Sequence, residues 1–141
     1  MSFNILVVDD SSSIRAIVKK IIRVSGFNVG ELWDASDGLV ALSVLEEHQV
    51  DIVLTDINMP NMNGMELITR MSEDDQMSTI PVVVVSTEGS DKKMDEAMAM
   101  GAVGYVKKPF LPEDIKRTLN GILGVADGQA ELDGDDDAID F

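Results

Sequence analysis

An α/β fold, with one doubly wound five-stranded parallel sheet in the order 2-1-3-4-5 flanked by five helices, is predicted by three observations. Short runs rich in β-branched residues lack a polar face, as strands covered on both sides do. Amphipathic helical patterns separate them. Acidic, hydroxyl or basic residues follow the ends of these runs, as at the carboxyl edge of an open α/β sheet.

Ile5-Leu6-Val7-Val8, Ile52-Val53-Leu54 and Val82-Val83-Val84-Val85 read as interior strands. Val29 to Ala35, interrupted by Gly30, Glu31 and Asp34, and the brief Gly104-Tyr105-Val106 read as edge strands. In the first helix, Ile14, Ile17, Val18, Ile21 and Ile22 recur at helical spacing, with Ser11 or Ser12 as N-cap and Gly26 shortly after the end. Leu39, Leu42 and Leu45 follow an Asp37 cap. Met65, Ile68 and Met71 follow Gly64, while Met94, Ala97 and Met98 follow Asp91. Ile115, Leu119 and Ile122 follow Pro112, which suits a first helical turn. Right-handed crossovers restrict the layout; placing the first, third and fourth strands inside and the second and fifth at the edges yields this order, and a crevice opens where the winding reverses between the first and third.

Composition bounds the function. The chain of 141 residues is the length of one domain. It has no cysteine, which excludes disulfides and thiolate chemistry, and its single histidine, His48, excludes a histidine metal cluster. A net charge of −15 opposes direct nucleic-acid or anionic-lipid binding. No run is apolar enough for a membrane span and no signal sequence precedes the first strand, so a cytoplasmic location is expected. The charge divides the chain into a domain over residues 1–123 and an acidic tail over 124–141. The tail holds seven acids and no base, a composition that favours disorder.

Asp9 and Asp10 follow the first strand, Asp56 the third, Ser86 and Thr87 the fourth, and Lys107-Lys108-Pro109 the fifth. Turn and capping preferences account for any one of these residues alone. Three carboxylates converging on one rim repel by about 4 kcal/mol per pair at 4 Å and an effective dielectric near 20, which calls for a divalent cation or a cationic side chain among them. Mg²⁺ with Lys108 meets both needs. Such a site suits phosphoryl transfer, with Asp56 as nucleophile.

At these residues the chain resembles the receiver domain of two-component response regulators, nearest to the stand-alone chemotaxis type. The resemblance covers about residues 3–123. It rests on Leu6-Val7-Val8-Asp9-Asp10-Ser11, Thr55-Asp56-Ile57-Asn58-Met59-Pro60 with Gly64, Val85-Ser86, Gly101-Ala102, and Gly104-Tyr105-Val106-Lys107-Lys108-Pro109-Phe110. It implies that Asp56 accepts a phosphoryl group from a kinase phosphohistidine. It also implies that Asp9, Asp10, Asp56 and the Asn58 backbone carbonyl hold Mg²⁺, that Lys108 contacts a phosphoryl oxygen, and that the Lys108–Pro109 bond is cis. Ser86 and Tyr105 would be the switch pair, with family spacing from Lys108 favouring Ser86 over Thr87. Asn58 and Glu88 would tune self-hydrolysis of the aspartyl phosphate, making the protein chiefly a switch and only secondarily a catalyst.

The implied partners are a sensor histidine kinase or histidine phosphotransfer protein, and a downstream protein on the face of the fourth helix, fifth strand and fifth helix. A monomer is expected before phosphorylation, with dimerisation afterwards left open, and no nucleic-acid-binding segment follows Leu123. The rivals are a phosphorelay intermediate, a phosphorylation-independent interaction module, an aspartate-nucleophile phosphohydrolase and a flavin-binding module. The phosphohydrolase would need an acid where Asn58 stands, and Asp9-Asp10 would repel a flavin phosphate.

Outside the rim the expectations are plainer. His48 is read as a solvated residue without an evident partner, Trp33 as packed under a helix, and Met65, Met71, Met94 and Met98 as core. Met59 and Met62 are read chiefly as loop anchors, with a soft contact surface for a kinase or phosphatase as the alternative. Arg15, Lys19, Lys20 and Arg23 form either a solvated face or a steering surface for an acidic partner. Ile139 and Phe141, set among acids, are read as part of a solubilising end or as a motif that docks on a basic, partly apolar groove, either on a partner or on the chain's own face of fourth helix, fifth strand and fifth helix.

Overall fold

A computed structural model describes residues 2–87 and 90–124 of the chain. β1 (Phe3–Val8) lies between β2 (Val29–Ala35) and β3 (Ile52–Thr55); β4 (Val82–Ser86) and β5 (Gly104–Lys107) complete an all-parallel sheet in the order β2-β1-β3-β4-β5. This is the predicted order, with β2 and β5 at the edges. The interior strands bury both faces because successive side chains alternate: Ile5, Val7, Ile52, Leu54, Val83 and Val85 go to one side, and Leu6, Val8, Val53, Val82 and Val84 to the other.

The first set packs against α1 (Ser12–Val24) and α5 (Pro112–Leu123) through Val18, Ile22, Ile115 and Leu119. The second packs against α2 (Gly38–Glu47), α3 (Gly64–Ser72) and α4 (Asp91–Met100) through Ala41, Leu45, Leu67, Ile68, Met71 and Ala97. At roughly 25 cal/mol per Å² of apolar surface removed from water, these two sandwiched layers are the main source of stability.

Helix starts follow local chemistry. Ser11 Oγ accepts from Ile14 N at 3.2 Å, and Asp37 Oδ1 from Val40 N at 2.9 Å. Asn63 and Glu66 form a reciprocal capping box at the start of α3. Ser90, rather than Asp91, caps α4; its short hydroxyl reaches Lys93 N at 3.2 Å, and Asp91 becomes the first helical residue. Pro112 occupies the first turn of α5, where its missing N–H costs nothing, and Asp114 Oδ2 accepts from Leu111 N at 3.0 Å.

Three expectations need correction or refinement. Met98 is 48% exposed instead of buried, because α4 turns the Ala97 side of its apolar stripe to the core. Of the other three methionines read as core, Met71 is buried, whereas Met65 and Met94 are only half-buried. His48 does have a partner: its ring stacks on Trp33 at 3.9 Å between centroids and 18° between planes, closing the C-terminal end of α2 over edge strand β2. Trp33 joins the core on the α2 side, with its indole N–H buried and unpartnered among the described residues.

Two hydrogen bonds fasten the start of α2 to the loop after β3, one of them from Gly38 N to Met62 O at 3.0 Å. Asn61, in a left-handed conformation at φ 66°, donates from Nδ2 to Asp37 Oδ2 at 2.7 Å. The Asn61 bond first, and the Val40 N–H second, hold the buried Asp37 carboxyl below its ordinary value of 3.8, against the upward push of burial. A lowered folded-state pKa contributes stability above the unfolded value, and that stability is lost as pH falls through the folded one. Asn61→Ala is therefore expected to lower the urea midpoint at pH 7 and to narrow the difference in midpoint between pH 7 and acid conditions below 3.8. Equal pH differences in the variant and the parent would refute this coupling.

Candidate functional site at the carboxyl edge of the sheet

The strand registers deliver the site. Val8 pairs with Thr55, so the next residues, Asp9 and Asp56, emerge side by side from adjacent strands at the point where the winding reverses. Strand alternation gives both the parity of Val7 and Leu54, toward α1 and α5. The main chain fixes this placement: Asp56 N donates to Val8 O at 2.9 Å and Asp9 N to Ala35 O at 3.1 Å.

Lys108 reaches this pair from the far side of the sheet. Its N–H donates to Ser86 O at 2.8 Å, and the Lys108–Pro109 peptide is cis. The ammonium stands 3.1 Å from Asp9 Oδ2 and 3.6 Å from Asp56 Oδ2, so one cation is shared between two carboxylates of different strands. Asp9 is buried, while Asp56 and Lys108 retain limited solvent access and Asp10 is exposed at the rim.

The remaining oxygens are oriented by backbone. Asp9 Oδ1 accepts from Ser11 N at 3.0 Å and Asp56 Oδ1 from Ile57 N at 2.7 Å, leaving the two Oδ2 atoms turned toward Lys108. Gly64 makes the next close contact: its N–H donates to Ile57 O at 2.8 Å, and a Cβ there would collide with the Asp56 carbonyl oxygen. Only glycine permits this approach.

Ser86 is buried at the end of β4, and Tyr105 is half-buried opposite Val84 on β5. Two-residue alternation from Val84 gives Ser86 the same face of the sheet, so Ser86 and Tyr105 share the α4 side. Thr87 is exposed. Asn58 is exposed on the loop after β3, and Glu88 lies outside the described residues. Met62 is buried against Gly38, and Met59 packs on the same cluster, so both anchor the loop.

Sequence reading missed two supports of the rim. Arg15 Nη1 donates to Asp9 O at 2.7 Å while its Nε pairs with Asp34 at 2.9 Å, and the buried Thr55 donates from Oγ1 to Asp56 O at 2.9 Å. The Arg15 contacts join residues that only the folded geometry makes neighbours. Thr55 stands beside Asp56, but an all-buried strand end masks its polar role.

Among the described residues no three His, Cys, Asp or Glu side chains make a ready-made metal cluster. Mg²⁺ needs only one or two carboxylates, completing its shell with water and other hard oxygens. Asp9 and Asp56 are two such carboxylates on one rim, so the donor chemistry fits.

Comparison with known proteins bears on the family and the fold. Residues 5–120 match the response regulator receiver domain. Chemotaxis protein CheY-3 of Vibrio cholerae is 38% identical over 86% of this chain and 92% of its own length. The crystallised chemotaxis protein CheY4 of Vibrio cholerae superposes with a TM-score of 0.77 at 34% identity, covering 86% of this chain and 99% of that one. The receiver domain of a Pseudomonas aeruginosa sensor histidine kinase, solved with a magnesium ion coordinated in its active-site cleft, shares the fold at a TM-score of 0.77 and 19% identity, covering 88% of this chain and 99% of that one.

The Gly64 contact yields a stability test. Gly64→Ala must displace the Asp56 carbonyl or the start of α3, so a loss of about 1–3 kcal/mol is expected from urea unfolding; an unchanged midpoint would contradict the close approach. The match to the family along almost the whole described sheet, together with an acidic pair and a lysine meeting at the switch point, places this chain in the response regulator receiver domain family.

Proposed function

We propose that this chain is a single-domain response regulator of the chemotaxis type, phosphorylated on Asp56 by a sensor histidine kinase or a histidine phosphotransfer protein and acting in the cytoplasm. The observation that carries the reading is Lys108 Nζ standing within ion-pair distance of both Asp9 and Asp56.

Asp56 Oδ2 is the nucleophile, since Oδ1 is held by the Ile57 N–H. It forms a bond to phosphorus as the phosphorus–nitrogen bond of the donor phosphohistidine breaks, and the imidazole leaves with the electron pair. Mg²⁺, held by Asp9, Asp10, Asp56 and the Asn58 carbonyl, would offset the charge on the phosphoryl oxygens. Lys108 transfers its contact from the Asp56 carboxylate to a phosphoryl oxygen, and this exchange keeps the buried ammonium paired. Water oriented by Asn58 and Glu88 hydrolyses the acyl phosphate and resets the switch.

Ser86 and Tyr105 couple this chemistry to the surface. A phosphoryl oxygen draws the Ser86 hydroxyl toward Asp56, and Tyr105 turns into the space released on the same face. This biases two arrangements of the α4, β5 and α5 surface toward the one that binds a downstream protein. The domain spans residues 1–123, and the unphosphorylated form is a monomer.

Intact mass after incubation with a small-molecule phosphodonor tests the reading. The parent is expected to gain one phosphoryl group only with Mg²⁺, and Asp56→Asn is expected to gain none. A parent that never gains mass would favour a phosphorylation-independent interaction module, and uptake retained in Asp56→Asn would assign the acceptor elsewhere.

A further inference from the structure

α1 carries four bases, Arg15, Lys19, Lys20 and Arg23, and no acid, in a chain of net charge −15. Arg15 and Lys19 are engaged by Asp34 on β2. Lys20 and Arg23 make no ion pair among the described residues. Along α1, beside the loop that leads into α5, runs an apolar groove of about 280 Å³, lined by Ile14, Ile17, Ile21, Pro109 and Phe110 and bordered by Thr87 and Lys108; Lys20 and Arg23 stand on the same helix, outside that lining. Ile17 is 52% exposed, and Val24 and Leu111 nearby are 63% and 58% exposed, an apolar stripe without a cover among the described residues.

We infer that this groove is a docking site for the chain's own acidic segment, residues 125–141, through Ile139 and Phe141. Charge complementarity selects this occupant: residues 124–141 hold seven acids and no base, opposite the most basic helix of the molecule. Reach permits it. α5 has 12 residues and is about 18 Å long, whereas 17 residues beyond Gly124 span up to roughly 56 Å. Spacing agrees as well. Residues two apart in an extended segment point the same way about 7 Å apart, close to the roughly 5–6 Å between same-face positions such as Ile17 and Ile21 on α1.

Occupancy would cover the approach to Lys108 beside α1, so the segment would compete with a macromolecular phosphodonor. That consequence rests on the function proposed above; the docking itself does not.

The absence of native cysteine allows a nitroxide to be attached through Gly134→Cys in the full chain. At low salt, amide resonances of Ile17, Ile21 and Phe110 are expected to lose about twofold or more in intensity, recovering at about 0.5 M salt, where the screening length is roughly 4 Å, and in an Ile139→Ala, Phe141→Ala background. A mixture of tagged, isotope-free protein with untagged, ¹⁵N-labelled protein is expected to show no such loss. Three results would overturn the inference: no selective loss, loss centred on Met65 and Arg70 in the groove between α3 and α4, or loss in the mixture, which would make a second copy the occupant. None of these readouts requires phosphorylation, so failure here leaves the receiver reading intact.

Discussion

The sharing of one ammonium by two carboxylates from neighbouring strands is the constraint on which the carboxyl edge depends. Asp9 and Asp56 emerge adjacent because β1 and β3 are in register, and without a cation their charges would oppose that register. Lys108 supplies the cation from beyond β5, tied to β4 by its own N–H. The ion pair thus joins the ends of β1 and β3 to the residue after β5, and the Lys108 N–H adds β4. In the proposed reaction the same feature has a second use: an Asp56 oxygen is held within reach of a cation that a tetrahedral oxyanion group would take over.

Support for this pair comes from both sides of the sheet. On the α1 side, Arg15 holds the Asp9 carbonyl, so the helix that flanks the apolar groove also positions the acid at its rim. On the α3 side, Gly64 lets the helix start against the Asp56 carbonyl, with Thr55 bonded to the same oxygen. Asn61, Asp37 and the Gly38–Met62 contact then clamp the intervening loop to α2. A phosphoryl group on Asp56 would therefore push against a braced frame. Ser86 and Tyr105 lie on the α4 side, near the edge strand, and the only fully buried residue of α4 is Ala97.

Most of the frame was legible in the sequence, because runs such as Val82 to Val85 have one physical solution, burial on both faces, and strict alternation with helices then limits the winding. The rim residues were legible for a related reason: each follows a strand directly, so finding the strand locates the residue. What stayed hidden depends on partners distant in sequence. The His48–Trp33 stack requires the end of α2 to lie over β2, and the Asn61–Asp37 bond requires a left-handed residue that no local pattern marks. Met98 misled because a sparse apolar stripe on α4 leaves its centre undefined to within a residue.

The central claim, that Lys108 neutralises a two-carboxylate site, is tested most directly by Mg²⁺ affinity measured by titration calorimetry on the parent, Lys108→Ala and Asp9→Asn. Removing the competing ammonium should tighten Mg²⁺ binding severalfold, and removing one carboxylate should weaken it by at least as much. Indistinguishable affinities in all three proteins would contradict the account.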